Sequence, residues 1–312
     1  MNVLSLFDGI SAGQVALERA GIVVDKYYAA EVDKHAIAVT KANYPGTVQL
    51  GDVTKWREWD IAWSSIDLLI GGSPCQGFSF AGKQLAFNDP RSALFFVYVD
   101  ILNHIRSTNP RVKFLLENVK MKKEFLDTIT EYLGVEPVFI NSALVSAQNR
   151  QRYYWANWEF GQPEDKCLTI IDIEDGSFIT PSGKGSVNNK RKSKNIPINS
   201  NGVNQINAAL CTSVQPRMQD RVFHTSGKSH SLSAAFCSRT NVGDFNVDSW
   251  RKLTPLECER LQTFPDGYTA HVGNTQRYKA LGNSWTVDVV AHIFRIIPNT
   301  AVQLNSSHQT SS

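Results

Sequence analysis

The sequence has few cysteines, no long apolar run and no regular spacing of metal ligands. Its five cysteines are an odd number, and they form neither a CxxC pair nor an ordered Cys/His pattern, which argues against a disulfide framework and a zinc site. The longest apolar runs are far shorter than the ~18 residues that suggest a membrane span. The opening MNVLS has no basic leader and does not resemble a signal peptide. We therefore expect free thiols, no metal, no membrane contact and a cytoplasmic protein.

The composition is ordinary for a folded protein, but the positive charge is unevenly distributed. Hydrophobic residues make up 42% and charged residues 20% of the 312 positions, and the formal net charge is +3. The segment 181–240 contains nine Lys or Arg and one acidic residue, a balance of +8 that leaves −5 for the rest of the chain. Such a concentration suits neutralisation of nucleic-acid phosphates. A solvated basic loop, above all at 184–194, is the alternative.

Short apolar segments alternate with helical patterns over the first 160 residues, which is typical of a doubly wound parallel sheet. A strand at 3–7 leads into the glycine turn DGISAG at 8–13 and then into a helix, as a nucleotide-binding βαβ unit begins. The turn does not have the GxGxxG pattern of dinucleotide-binding proteins. The sequence therefore predicts a nucleotide-binding fold without a demonstrated phosphate cradle.

Acidic residues follow two of the next predicted strands. Glu31 ends the strand at 26–30, about 20 residues after the glycine turn, where an acid binds ribose hydroxyls in this kind of fold. Asp52 follows the strand at 48–50, and a carboxylate there can accept a hydrogen bond from an adenine amine. Either acid alone is more often a solvated surface group. Together, after a glycine turn, they suggest an adenosine-containing cofactor.

A cysteine-bearing loop, GGSPCQGFS at 71–79, follows the buried strand predicted at 66–70. The chain must turn sharply there, because Gly tolerates unusual dihedral angles and Pro fixes φ. Ligands and chemistry lie at the carboxyl ends of strands in doubly wound sheets, so Cys75 is a candidate nucleophile. A small buried cysteine that merely packs is the alternative.

Further candidates follow along the chain. Glu117 comes directly after the buried strand at 113–116, which places another carboxylate at the same edge of the sheet. Arg150 and Arg152 are two positions apart in a predicted strand and would share a face. Guanidinium groups there are suited to binding an anion or orienting a carboxylate.

These motifs, in this order, resemble those of the DNA cytosine-5-methyltransferases. The opening SLFDGISAG matches that family's FxGxGG in part, with Ser11 and Ala12 where glycines are usual. This variant, with NSALVSAQNRQRYYW, is closest to the mammalian de novo branch, and we expect a bacterial or phage enzyme. The other resembling segments are SPCQGFS, LLENV, QNRQR, RKLTPLECERLQTFP and ALGNSWTV.

The resemblance implies a fold and a domain organisation. The fold is α/β, a doubly wound, Rossmann-like S-adenosylmethionine-dependent methyltransferase domain with a smaller, mostly irregular or β target-recognition domain. The implied boundaries are a catalytic domain at 1–160, a recognition domain at 161–272, a return to the catalytic domain at 273–298 and a disordered tail at 299–312.

The resemblance also implies roles for individual residues in methylating carbon 5 of a flipped-out cytosine in duplex DNA. Cys75 would add to carbon 6, and Glu117 would donate to ring nitrogen 3, for which it must carry or share a proton. Arg152 would contact the pyrimidine or its phosphate, with Arg150 supporting it. The residues expected to bind S-adenosyl-L-methionine are Phe7, Asp8, Gly9, Ile10, Gly13, Glu31, Val32, Asp52, Val53, Gly72, Pro74, Leu94, Asn283, Ser284 and Trp285. The residues expected to bind DNA are Gln76, Ser79, Gln148, Arg217, Arg221 and Arg239.

Three alternatives stay open. A transfer-RNA cytosine methyltransferase shares the Cys and Glu-Asn-Val motifs but typically carries a Cys-Phe-Thr insert, which this sequence lacks. A catalytically dead relative would lose one of those two motifs, and both are intact. A nicotinamide oxidoreductase would carry GxGxxG after the first strand, and the turn DGISAG does not supply it. We expect a monomer, with a cognate restriction nuclease, if any, acting separately.

Overall fold

The computed structural model describes residues 1–73, 93–176, 222–224, 228–232, 241–244 and 249–298. Within these ranges, no helix is long and apolar enough to cross a membrane. The predicted tail at 299–312 lies outside the described residues. So do seven of the predicted functional residues: Pro74, Cys75, Gln76, Ser79, Arg217, Arg221 and Arg239.

Strands and helices alternate through the first half of the chain, as the sequence predicts. The strands are β1 (Asn2–Leu6), β2 (Lys26–Ala30), β3 (Val48–Gln49), β4 (Leu68–Gly71), β5 (Lys113–Val119), β6 (Val138–Asn141), β7 (Gln148–Asn149), β8 (Gln151–Ala156), β9 (Val222–His224), β10 (Ser229–His230), β11 (Asn241–Asp244) and β12 (Ser249–Lys252). The helices are α1 (Ala12–Arg19), α2 (Lys34–Asn43), α3 (Ala93–Thr108), α4 (Lys123–Leu133), α5 (Pro255–Leu261), α6 (Asn274–Asn283) and α7 (Val287–Arg295).

Seven strands form one mixed sheet in the order β3-β2-β1-β4-β5-β8-β6. All pairs from β3 to β5 are parallel, and β8 runs antiparallel to both β5 and β6. The strand order reverses between β1 and β4, and a crevice at such a reversal is where ligands bind in open α/β sheets. The predicted doubly wound α/β fold is therefore confirmed, with an antiparallel strand near one edge.

Apolar side chains of the central strands alternate between the two faces of the sheet, because successive residues in a strand point in opposite directions. On one face, Val3 and Ile70 belong to a core cluster with residues of α1, α2 and α7. On the other face, Leu4 and Leu69 belong to a second cluster with residues of α3 and α4. Helices thus cover both faces, which explains why these strands are almost continuously apolar.

Glycine allows α1 to lie close to the sheet at its first turn. A Cβ atom on Gly13 would come within 2.4 Å of Ile70 Cδ1 and 2.8 Å of Tyr27 Oη. A larger residue would force the ends of these two side chains to move. Gly13 therefore contributes to the packing of α1 against β2 and β4.

Side chains from distant parts of the sequence hold the C-terminal segment on the first half of the chain. Lys279 of α6 forms a 2.6 Å ion pair with Asp33, which caps α2 by accepting from the backbone N–H of His35. The hydroxyl of Tyr268 donates to the carbonyl oxygen of Ile10 in the glycine turn at 2.7 Å. Residues of α6 and α7 therefore pack against the first half of the chain.

Small sheets lie in the part of the chain predicted to recognise the target. β12, β11 and β9 form a three-stranded sheet, and β10 pairs with β7. Thr254 and Glu257 form the capping box of α5, with Pro255 at its first turn.

Candidate active site

The register of the central strands brings three sequence motifs together at one edge of the sheet. Leu6 of β1 lies opposite Gly71 of β4, and Gly71 lies opposite Leu116 of β5. The residue after each of these positions therefore emerges at the same edge. These are Phe7, Gly72 and Glu117, and each opens onto the same crevice.

One cavity at this edge is lined by residues from four parts of the chain. Eight of its lining residues are among the fifteen expected to bind the cofactor, and Glu117, predicted to act on the base, lines it too. Ser5 and Ala12 were not predicted, and only the alternation of β1 and the start of α1 could have indicated them. The lining residues are Ser5, Phe7, Asp8, Gly9, Ala12, Gly13, Gly72, Glu117, Asn283, Ser284 and Trp285.

The other described cofactor candidates do not line this cavity. Ile10 and Val53 are buried in the two core clusters, and Leu94 packs partly buried against the second one. Val32 is 71% exposed next to Glu31. These four positions are predicted because they lie beside other residues of the motifs. For the two buried ones, Ile10 and Val53, packing in the core explains the apolar side chain.

The turn after β1 has a strained backbone. Phe7 and Ser11 both have φ of 58°, a left-handed conformation that is uncommon for residues other than glycine and that clusters at functional sites. Glu31 stabilises the turn, because its carboxylate accepts from the backbone N–H of Gly9 at 2.8 Å. The same carboxylate accepts from Val32 and Asp33, each at 2.8 Å. Glu31 is thus oriented entirely by nearby backbone.

A second acid, Asp8, lies within this turn. Its carboxyl group accepts from the hydroxyls of Ser11 and Tyr27, the latter at 2.7 Å. Burial raises the pKa of Asp8 from its ordinary value of 3.8 to about 6, although hydrogen bonds from Ser11, Ser5 and Tyr27 oppose the shift. The protonation of Asp8 therefore changes near pH 6.

Asp52 has a different environment from Glu31. It is exposed and caps a short 3₁₀ helix at Val53–Glu58, accepting from the backbone N–H of Thr54 at 2.9 Å and from its hydroxyl at 2.8 Å. The Thr54 backbone hydrogen bond lowers the pKa of Asp52. It remains an available acceptor near the end of β3, though not a lining residue of the cavity.

Glu117 is bound through both of its carboxyl oxygens. Arg152 Nε lies 2.7 Å from Oε1, and Trp285 Nε1 donates to Oε2 at 3.1 Å. Arg152 of β8 is opposite Val119 of β5, two positions from Glu117 on the same face. Glu117 is only 8% exposed, so its carboxyl group is largely enclosed by protein.

Asn118 joins the strand of Glu117 to the start of the cysteine loop. Its side-chain amide donates to the hydroxyl of Ser73 at 3.2 Å, and its oxygen accepts from the backbone N–H of Val119. Ser73 is the last described residue before Cys75. The loop therefore departs from a fixed point beside Glu117, although Cys75 lies outside the described residues.

The guanidinium of Arg150 donates to backbone carbonyl oxygens, whereas that of Arg152 contacts the carboxyl group of Glu117. Arg150 is 3% exposed and lies between β7 and β8. Its guanidinium donates to the carbonyl oxygens of Leu232 at 2.6 Å and Ser284 at 2.7 Å. Arg150 is therefore buried against the segment that carries Trp285.

Gln148 is fully buried, which is incompatible with the DNA contact expected of it. Its side-chain N–H groups donate to the carbonyl oxygen of Leu261 at 2.6 Å and to Oε1 of Gln262 at 2.9 Å. Its oxygen accepts from the backbone N–H of Leu232. Gln148 therefore holds α5 and the β10 segment together, and the polar residue type alone did not reveal this.

The described part of the chain contains no group of three or more His, Cys, Asp or Glu side chains that could hold a metal ion. Its cysteines, Cys167 and Cys258, are free thiols. The chemistry that the described site offers is thus that of a fixed carboxyl group, a guanidinium and an indole N–H beside a cavity.

Comparison with known proteins gives four related findings. A family model for C-5 cytosine-specific DNA methylases matches residues 1–299. The Type II methyltransferase M1.ScrFI of Lactococcus lactis subsp. cremoris is 31% identical over 92% of this chain and 75% of that relative. The Type II methyltransferase M.HpaII of Haemophilus parainfluenzae is 29% identical over 92% of this chain and 86% of that relative. The structure of the Entamoeba histolytica methyltransferase EhMeth covers 95% of this chain and 97% of its own, with a TM-score of 0.66 at 17% identity, a likeness of fold.

Proposed function

The chain belongs to the C-5 cytosine-specific DNA methylase family, whose model spans residues 1–299, and from this premise we propose which residues carry out its reaction. The reaction is transfer of the methyl group of S-adenosyl-L-methionine to carbon 5 of cytosine in DNA. The observation that carries the proposal is Glu117, fixed by Arg152 at 2.7 Å on the cavity that the first glycine turn also lines.

The first step needs a nucleophile, because carbon 5 of cytosine is part of an electron-poor aromatic ring. A thiolate is a good covalent catalyst, and we assign this role to Cys75 in the loop that begins at Gly72 and Ser73. Its sulfur would add to carbon 6, and carbon 5 would then become nucleophilic and take the methyl group. Loss of the carbon-5 proton would expel the sulfur and restore the thiolate.

Glu117 would stabilise the charge that builds on the ring during this addition. A protonated carboxyl group donating to ring nitrogen 3 neutralises that charge as it forms. Arg152 would hold the carboxyl group in place and lie against the pyrimidine or its phosphate. Arg150 would act only indirectly in this scheme, since its guanidinium donates to the carbonyl oxygen of Ser284.

The residues of the first turn fit the cofactor that the family uses. S-adenosyl-L-methionine supplies a methyl group on a sulfonium centre, with ribose hydroxyls and an adenine amine as its hydrogen-bond donors. Glu31 presents carboxylate oxygens at the end of β2, and Asp52 presents an exposed carboxylate near the end of β3. Among the described residues, apart from its two chain neighbours, no atom lies within 4 Å of where a Cβ on Gly9 would be, so that part of the structure leaves space beside the turn.

The basic segment at 181–240 would bind the DNA backbone. Its balance of +8 against −5 elsewhere suits phosphate neutralisation, and Arg217, Arg221 and Arg239 are the proposed contacts. Gln76 and Ser79 of the cysteine loop are proposed to contact the DNA near the target base. The target atoms lie inside the duplex, so the cytosine must be extruded into the cavity.

The organisation of the chain follows from these roles. We propose a catalytic domain at 1–160, a recognition domain at 161–272 and a return at 273–298. A monomer is sufficient, because all the proposed residues come from one chain. Type II relatives of bacterial origin support action on DNA in the cytoplasm, with any cognate restriction nuclease a separate protein.

Bisulfite sequencing of DNA from cells that express the chain tests the proposal. The expected result is protected cytosines within one recurring sequence, and no protection in cells that express Cys75→Ala. Transfer RNA from the same cells is converted in parallel as a control. Protection confined to the RNA, or equal protection with the Ala variant, would overturn the assignment of substrate or nucleophile.

A further inference from the structure

Trp285 and Glu117 are 168 positions apart in sequence but in direct contact. The indole Nε1–H donates to Glu117 Oε2 at 3.1 Å, while Arg152 Nε lies 2.7 Å from the other carboxyl oxygen. Two donors on two oxygens fix the carboxyl group against rotation about its terminal bond, which is otherwise soft. Arg152 alone would leave that rotation less constrained.

The segment that carries Trp285 is held on both sides. The carbonyl oxygen of Ser284 accepts from Arg150 Nη2 at 2.7 Å, and that of Leu281 accepts from Gln262 Nε2 at 2.7 Å. The hydroxyl of Thr286 donates to Gln262 Oε1 at 2.9 Å. Arg150 and Gln262 are buried, so this turn has little freedom to move and can place an indole accurately.

Gly72 leaves just enough space for the contact. A Cβ atom at this position would lie 2.9 Å from Trp285 Nε1 and 3.0 Å from Glu117 Oε2. Such distances are too short for ordinary packing, so a side chain here would push the two partners apart. The backbone between β4 and the cysteine loop therefore passes directly beside the hydrogen bond.

We propose that Trp285 is a positioning residue that orients Glu117 towards the target base, and that Arg150 and Gln262 act by holding its turn. The inference rests on the proposed role of Glu117. Because Trp285 also lines the cavity of the first glycine turn, it joins the last motif of the chain to the proposed catalytic acid. A residue that served only as a wall of the cavity would not need its N–H.

Trp285→Phe tests this directly, since it keeps an aromatic ring and removes the N–H. We expect kcat to fall about tenfold, the loss of one well-placed hydrogen bond, with the KM for DNA and the Kd for S-adenosyl-L-methionine changed less than about twofold. The matched control is Trp158→Phe, which removes an N–H that donates to the carbonyl oxygen of Ile293 at 3.2 Å, away from the site. Its kcat should equal that of the unmodified protein.

A double-mutant cycle with Glu117→Gln separates positioning from a structural role. In the E117Q background, W285F should lower kcat by less than about twofold, because the group that Trp285 orients no longer supplies a proton. Gly72→Ala leaves Trp285 and Glu117 in place but crowds the hydrogen bond between them. Its kcat should therefore fall when Glu117 is present and should not fall in the E117Q background.

Each outcome of the cycle has a separate meaning. An equal loss from W285F in both backgrounds, or no loss in either, overturns the positioning role. If W285F melts at a much lower temperature, the same comparison is made with G72A, and an equal loss in both backgrounds overturns the role there too. A nearly normal kcat for E117Q alone would instead overturn the proposed role of Glu117.

Discussion

Glu31 and Glu117 occupy equivalent places in the fold but are held in different ways. Each lies at the carboxyl end of a parallel strand of the same sheet, β2 and β5. Glu31 accepts from three backbone N–H groups, those of Gly9, Val32 and Asp33. Glu117 is held by two side chains, from Arg152 and Trp285. The orientation of Glu31 is set by the backbone of its own turn, and that of Glu117 by side chains from distant segments.

The difference matches what each acid is proposed to do. A cofactor is bound in the same way in every cycle, so rigid backbone donors are adequate to orient Glu31. Glu117 must meet a base that enters from DNA, and two side-chain donors from distant segments hold its carboxyl group in one orientation. Substitutions at the two sites should therefore separate binding from turnover.

The largest effect is expected from Glu117→Gln. An amide cannot supply a proton to ring nitrogen 3, so the single-turnover rate at saturating DNA and cofactor should fall by about 10²–10⁴-fold. Binding of S-adenosyl-L-methionine, measured by titration calorimetry, should be nearly unchanged. A rate within a few-fold of the original would remove Glu117 from the chemistry and end the comparison.

Glu31→Ala should have the opposite profile. Loss of a charge-assisted hydrogen bond should weaken cofactor binding by about 1–3 kcal/mol, while DNA affinity at fixed salt stays the same. Asp52→Ala should have a smaller effect of the same kind, because Asp52 is exposed. Calorimetry with both ligands is the measurement, with Glu31→Gln as a control that keeps one acceptor for the turn. Unchanged cofactor affinity in all three variants would contradict the assignment.

The first half of the chain could be predicted well because its signals are local. Short apolar runs that end in Gly, Asp or Glu indicated strands and their carboxyl ends, and Glu31 was found from its distance to the glycine turn.

The contacts around Glu117 could not be predicted from local patterns. Arg150 and Gln148 are polar residues next to a strand, and such residues usually face solvent or a ligand. Both are buried here because carbonyl oxygens and an amide from the C-terminal segment satisfy them. Trp285 was assigned to the cofactor by motif, and its contact with Glu117 depends on pairing across 168 positions.

A smaller effect, on stability, should come from Asp8. Its folded pKa of about 6 lies above the ordinary 3.8, so its favourable contribution is complete below about pH 3.8 and is lost as the pH rises through about 6. The free energy of unfolding of Asp8→Asn, relative to the original protein, should therefore be higher at pH 7.5 than at pH 5 by about 1–3 kcal/mol. Denaturant unfolding at both pH values is the measurement. Equal differences between variant and original at the two pH values would show that Asp8 does not titrate in this range.

The most direct test of the proposed chemistry is covalent trapping on DNA that carries 5-fluorocytosine. Fluorine permits addition of a thiol at carbon 6 and methyl transfer to carbon 5, but it cannot leave as a cation in place of the proton. A random-sequence duplex presents the unknown target, and adducts are detected by mass spectrometry. We predict an adduct on Cys75 that needs S-adenosyl-L-methionine for permanence, that forms slowly with Glu117→Gln, and that is absent with Cys75→Ala. Methylation of ordinary DNA by the same preparation, with no adduct on the fluorinated duplex, would contradict the thiol mechanism.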